Sequence, residues 1–251
     1  MPDIVSLNVE DGIAVVAVNN PPVNTINAAV RAGLSAALDR IAREKGLKGL
    51  LLVCDGSTFF SGADIGEFAG PPKEEEYRVL FNRFEALPFP AAAAMHGTVM
   101  GGGLEIALAC HYRAAAPGTR LGLPEVTLGI IPGAGGTQRL PRLIGRARAK
   151  ELILTARRIG ADEAYRIGLV NAVAPAGELM PAALELAHSI ARNGPVAVRA
   201  AKRAIDEGGE LPLVDGLAVE ARCYETTLPT EDRLEALAAF AEKRAPRYRG
   251  V

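Results

Sequence analysis

A chain of 251 residues with 49% hydrophobic and 23% charged side chains is long enough to bury a large core and too apolar to remain disordered. Its formal net charge of −1 excludes a global field that would hold it on nucleic acid or on an anionic membrane, so partners must be sought in local features. Three widely spaced cysteines, Cys54, Cys110 and Cys223, lie among apolar neighbours with no CxxC pair, which predicts buried reduced thiols and no disulfide framework.

The opening reads as a hairpin: Ser6–Val9, a turn at Glu10-Asp11-Gly12, then the β-branched run Ile13–Val18. Asn27 is placed to cap a helix on which Val30, Leu34, Leu38 and Ile41 share one face, and Gly46 follows as a stop. Leu50–Cys54 is a continuous apolar run of the kind found in strands covered on both faces. Ala91–Met95 passes through His96-Gly97 and Gly101-Gly102-Gly103 into the apolar helix Leu104–Ala109. Tyr112–Ala116 and Arg120–Leu123 then lead to Pro124-Glu125 and a glycine-rich bend over Gly129–Gly136. Strands alternating with helices predict an α/β architecture. From Glu178 the pattern is helical only, over Glu178–Ala191, Val196–Glu207, Leu213–Thr226 and Glu231–Lys243. Several of these helices have wide apolar faces, which either cap their own domain or cover another copy of the chain. The N-terminus has no basic stretch followed by an apolar run, and no apolar stretch reaches membrane-spanning length, so no membrane partner and a cytoplasmic location are expected.

Three segments can carry chemistry. In Gly101-Gly102-Gly103-Leu104-Glu105 the glycines admit a close backbone or ligand, and the first helical turn offers amide N–H groups that no helical carbonyl can accept from. A glycine run alone is a strand–helix packing contact. Glu105 changes that reading, because a carboxylate on an otherwise apolar helix is costly unless it is paired or used. In Ser61-Gly62-Ala63-Asp64-Ile65, Gly62 permits an unusual backbone angle that can turn the Ala63 amide into a cleft, while Asp64 reads first as a helix cap. In Pro124-Glu125 through Arg139, the glycine-rich bend matches neither nucleotide-binding template, since there is no GxxxxGK[ST] and Gln138 stands where GxGxxG needs its last glycine. It is either a shaped pocket wall or a surface turn. His96, His111 and His188 are too scattered for a helical metal pair, and Ser61 is not in a GxSxG elbow. The basic residues from Arg139 to Arg158 read mostly as a solvated helical face that could meet a phosphorylated ligand.

Taken together, Phe60-Ser61-Gly62-Ala63-Asp64-Ile65, then His96-Gly97 with Gly101 to Ala107, then Leu123-Pro124-Glu125-Val126 with Gly129 to Pro141, resemble the enoyl-CoA hydratase/isomerase (crotonase) family. The resemblance continues through Ala161–Val170 and the closing Phe240 to Arg244. It implies a spiral of ββα units over residues 1–193 and a C-terminal helical trimerisation region over 194–251, with trimers that pair into hexamers. It also implies an acyl-CoA thioester substrate, with CoA as part of the substrate and no separate cofactor or metal. The thioester oxygen would lie between the amides of Ala63 and Gly102. CoA would lie against Ala63, Asp64 and Ile65, with Gly133 in the pocket wall and Glu67–Tyr77 a candidate for its acyl end. Tyr224 and Lys243 would reach the CoA of a neighbouring subunit. Glu105 and Glu125 would form the acid–base pair of a 2-enoyl-CoA hydratase; a double-bond isomerase is the alternative, followed by a hydrolase or decarboxylase of acyl-CoA or an inactive acyl-CoA-binding homologue. His111 stands where the family often has aspartate, and Gly66 where a basic residue is common.

Overall fold

The computed structural model describes residues 3–71 and 73–251; Met1 and Pro2, at the head of the segment read above for a signal, and Pro72, within Glu67–Tyr77, lie outside the described residues. β1 (Val5–Glu10) and β2 (Ile13–Val18) pair antiparallel about Asp11 and Gly12. Both turn residues have positive φ, 47° and 81°, as a two-residue turn matched to strand twist requires. α1 (Ala28–Arg43) starts where the Asn27 side chain accepts from the Val30 N–H at 3.0 Å, and it buries Val30, Leu34, Leu38 and Ile41. There follow β3 (Gly49–Cys54), α2 (Glu74–Glu85), β4 (Ala91–Met95), β5 (Thr98–Met100) and α3 (Gly102–Ala109). The middle of the chain supplies β6 (Tyr112–Ala115), β7 (Arg120–Gly122), α4 (Gly136–Ile144), α5 (Arg146–Leu154), β8 (Ile159–Gly160), α6 (Ala161–Arg166) and β9 (Ala172–Val173).

The strands form a six-stranded sheet in the order β1-β2-β3-β4-β6-β9, parallel from β2 onward, and a smaller sheet in the order β5-β7-β8. Each turn of the chain lays one strand in the large sheet and then one extended piece in a second wall. In later turns that piece is β5 or β7. In the first two it shrinks to the parallel bridges Ile26↔Ala63 and Phe60↔Val99. This is a spiral of ββα units, as the family resemblance implies, and the α/β class holds. Every residue of β3 and β4 is buried, which explains their unbroken apolar runs.

α7 (Leu179–Ala191) packs Leu179, Ala183 and Ala187 against the sheet face formed by Ile13, Leu51, Ala92 and Ala114, so it caps its own sheet. The earlier helices cover the opposite face. Beyond α7 come α8 (Pro195–Gly208), α9 (Leu213–Glu225) and α10 (Glu231–Glu242). Here Ile205, Leu213, Val214, Leu234 and Phe240 stay exposed, Phe240 to 86%. Among the described residues no helix is long and apolar enough to cross a membrane.

Candidate active site

The segment before Asp64 is held from three sides. The Phe59 N–H donates to the His96 carbonyl at 2.9 Å, the Met100 N–H to the Phe60 carbonyl at 3.1 Å, and the Ile26 N–H to the Gly62 carbonyl at 2.9 Å. The chain then turns at Gly62, whose φ of 127° favours glycine. Gly103 permits a close approach: a Cβ there would lie 2.4 Å from the Phe60 carbonyl oxygen. With the two segments pressed together, a Cβ on Gly102 would stand 3.6 Å from the Ala63 nitrogen. The N–H of Gly101 is taken by the Gly122 carbonyl, and those of Leu104 and Glu105 by the Gly101 carbonyl. The N–H groups of Ala63 and Gly102 have no backbone acceptor among the described residues. One of them opens a helix, where donors are left over by construction.

Glu105 and Glu125 reach the same cavity, a space of about 190 Å³ whose wall also includes Ala63, Gly102, Gly133 and Ala134. Their surroundings differ. Glu105, 3% exposed, accepts from the Ala134 and Gly136 N–H groups, each at 2.8 Å, on one carboxylate oxygen. Burial pushes its carboxyl above the ordinary glutamate range, while the two amides and the nearby Arg139 draw it back. Those amides sit at the start of α4, so the carboxylate also meets the positive end of that helix. Glu125 opens a 3₁₀ turn, Glu125–Leu128, beyond β7. Its Oε2 is buried with no hydrogen-bond partner among the described residues. Burial, followed by the charge of Glu105, raises its pKa to about 7 against the pull of its own backbone N–H. Both carboxyls are thus raised by burial, but one has two amides on a single oxygen and the other keeps an oxygen without a partner among the described residues.

Gly129–Gly136 contributes to the pocket wall through Ile130, Ile131, Gly133 and Ala134, while Ile130 and Ile131 are also exposed. Of Glu67–Tyr77, the residues Glu67, Gly70, Pro71, Lys73 and Tyr77 line it too. Behind them, Arg31 pairs with Glu67 at 2.7 Å and Glu76 at 2.9 Å and donates to the Tyr77 hydroxyl at 3.1 Å. No motif marks this brace, because its members are spread over two helices and a turn. Asp64 acts as a cap, its Oδ1 accepting from the Gly66 N–H at 2.9 Å, and Ile65 beside it is exposed. Tyr224, on α9, and Lys243, at the C-cap of α10, are outside this cavity and exposed.

One residue of the basic stretch departs from the solvated face expected of most of it, and His111 alters local packing. Arg139 does not belong to a solvated face: its side chain is 13% exposed and turns inward, because the close carboxylate of Glu85 and a glycine without a Cβ give it a slot. His111 in the aspartate position is a packing element. Its Nδ1 accepts from the Ala91 N–H at 2.8 Å, its Nε2 faces the Glu85 carbonyl at 3.2 Å, and burial together with Lys202 lowers its pKa to about 4.

A family model described as enoyl-CoA hydratase/isomerase matches residues 8–251. YngF of Bacillus subtilis (strain 168), whose name carries the same hydratase/isomerase designation, is 46% identical over 247 residues, 95% of each chain. Human mitochondrial methylglutaconyl-CoA hydratase is 45% identical over 228 residues, covering 86% of this chain and 67% of its own. The crystal structure of enoyl-CoA hydratase from Bacillus anthracis superposes with a TM-score of 0.94 at 43% identity, over 99% of this chain and 100% of that one. With motifs, spiral and relatives in agreement from end to end, the chain belongs to the enoyl-CoA hydratase/isomerase family.

Proposed function

We propose that the protein is a 2-enoyl-CoA hydratase, adding water reversibly and syn across the double bond of a trans-2-enoyl-CoA to give a 3-hydroxyacyl-CoA. The observation that carries this reading is the unlike pair in one cavity: Glu105 held as an acceptor by two amides, and Glu125 with an unpartnered buried oxygen and a pKa near 7. As water attacks C3, Glu105 takes its proton. The electron pair moves onto the thioester oxygen, where the Ala63 and Gly102 N–H groups stabilise it without reorganising. Glu125 delivers a proton to C2, and proton return from Glu105 to Glu125 through solvent resets the site. The two carboxyls titrate as a coupled pair, so these labels describe the reactive microstate.

CoA is part of the substrate, and no separate cofactor or metal is needed for these steps. Residues 1–193 would hold the site, and 194–251 would carry self-association into trimers or dimers of trimers, with Tyr224 and Lys243 presented to a neighbour's CoA. The exposed apolar side chains of α8–α10 support that assembly. Three buried free cysteines and the bacterial relative support a cytoplasmic setting. Isomerisation of the double bond is the second reading, favoured by a relative from Mycosarcoma maydis, 45% identical over 208 residues, that is named an enoyl-CoA isomerase/hydratase.

The test follows the loss of enoyl-thioester absorbance with crotonyl-CoA. Glu105→Gln and Glu125→Gln should each slow hydration by about 10² to 10⁴, with the affinity for saturated butanoyl-CoA little changed. Near-normal turnover in both variants would overturn the assignment, and faster conversion of a 3-enoyl-CoA than hydration of its 2-enoyl isomer would favour isomerase.

A further inference from the structure

Glu105 depends on two amides, and those amides belong to a loop that is itself gripped. The Arg139 Nη1 donates to the Ala134 carbonyl at 3.0 Å, on the peptide between the two N–H donors to Glu105. Its guanidinium lies over Gly135, where φ is 115° and any Cβ would meet Nη1 at 2.0 Å. The other edge of the guanidinium faces α2. Nε and Nη2 donate to the two Glu85 carboxylate oxygens at 3.1 and 2.7 Å, and Nη2 also donates to the Asn82 Oδ1 at 2.7 Å. Glu85 is fixed in turn, because its carbonyl accepts from the Lys202 Nζ at 3.0 Å and faces His111 Nε2. A planar fork can pair through two nitrogens with both carboxylate oxygens of Glu85 while its third nitrogen holds the Ala134 carbonyl, a geometry that the single nitrogen of an ammonium does not reproduce.

We infer that Arg139 is a positioning residue: clamped by Glu85 and Asn82, it sets the Ala134–Gly136 loop so that both amides point at the Glu105 carboxylate. This inference rests on the reading of Glu105 as the base that activates water. Arg139 itself is not among the residues lining the cavity.

The experiment is a double-mutant cycle of Arg139→Gln with Glu105→Gln in the full chain, using crotonyl-CoA for kinetics and butanoyl-CoA for affinity. Arg139→Gln should lower kcat by about 10- to 100-fold, as sub-ångström misplacement of a reacting group does, while KM and butanoyl-CoA affinity stay within about threefold. In the Glu105→Gln background the same change should add less than about threefold, because the group it positions is already gone. Glu85→Gln, which leaves the Ala134 contact intact, should show a smaller loss in the same direction, and it serves if Arg139→Gln folds poorly. Arg139→Lys should not restore kcat. Equal losses in both backgrounds, full rescue by lysine, or a loss confined to KM each overturn the inference. Near-normal turnover of Glu105→Gln alone would instead remove the reading on which it rests, and the inference with it.

Discussion

In β3 and β4 every residue is buried, and Leu50, Leu51 and Leu52 are fully excluded from water, whereas α8 buries no described side chain fully and α9 and α10 leave Leu213, Val214 and Phe240 outside. Both regions are built from similar apolar residues at regular spacing. What separates them is where the covering surface comes from. The spiral supplies most of its own, one turn stacking on the last with α7 closing the open sheet face, although Ile65, Ile131 and Leu154 stay exposed. The last three helices leave Ile205, Leu213, Val214, Leu234 and Phe240 uncovered within one chain, which supports the proposed self-association. The candidate active site is on the spiral side of this divide where, among the described residues, two amides lack a backbone acceptor and one carboxyl oxygen lacks a partner. Stability and reactivity are thus neighbours, and they can be separated by mutation.

The largest effect should come from closing the gap on which the spiral depends. Gly103→Val places carbon where the Phe60 carbonyl already stands, and backbone cannot move aside cheaply. A destabilisation beyond about 4 kcal/mol is expected, read as loss of cooperative unfolding by circular dichroism. A stable, well-folded variant would mean that the stacked segments are not rigid.

A smaller effect of opposite sign is expected from Glu125→Gln. A glutamate in an unfolded chain ionises near pH 4.3, whereas the folded carboxyl holds its proton to about 7. Between those values the folded state binds a proton that the unfolded state has lost, so wild-type stability falls as pH rises through this window and stays low above it. Glutamine does not titrate. At pH 8 the variant should be more stable than the wild type by on the order of 2 kcal/mol, with the difference fading towards pH 4, in denaturant titrations at both values. A variant less stable than wild type at pH 8 would show that the unpartnered oxygen is not a source of strain.

The smallest effect should be on the other side of the comparison. Phe240→Ser removes a side chain that is 86% exposed. The unfolding free energy of the dissociated chain should change by less than about 0.5 kcal/mol, while sedimentation equilibrium shifts to lower mass. A larger loss in the dissociated chain would show that Phe240 packs within its own subunit and would erase the distinction.

Much of this arrangement is legible before folding. The Asp11-Gly12 hairpin, the Asn27 cap, the continuous run of β3 and the three late helices are local features, set by backbone propensity and by periodicity over a dozen residues. The glycines of 101–103 likewise advertise a close approach, and Glu105 is visible as a misfit on an apolar helix. Arg139 shows where this reading stops. It sits in a basic stretch that looks solvated, yet it reaches Glu85, 54 positions earlier in the chain, and the slot that receives it exists only because Gly135 has no side chain. The brace of Arg31 with Glu67 and Glu76 is hidden for the same reason.

The sequence by itself therefore determined the opening hairpin, α1, β3 and the late helices, the close approach at the glycines of 101–103 and one out-of-place carboxylate, Glu105, since each depends on neighbours a few residues away. Only the tertiary structure decided which carboxyl meets two amides and which keeps a buried oxygen without a partner among the described residues. The two N–H groups that hold Glu105 come from 29 and 31 residues further along, and the burial that lifts Glu125 is contributed by elements from across the chain. Hydrogen bonds and desolvation act over a few ångströms of space, and no local pattern records which distant residues will share that space.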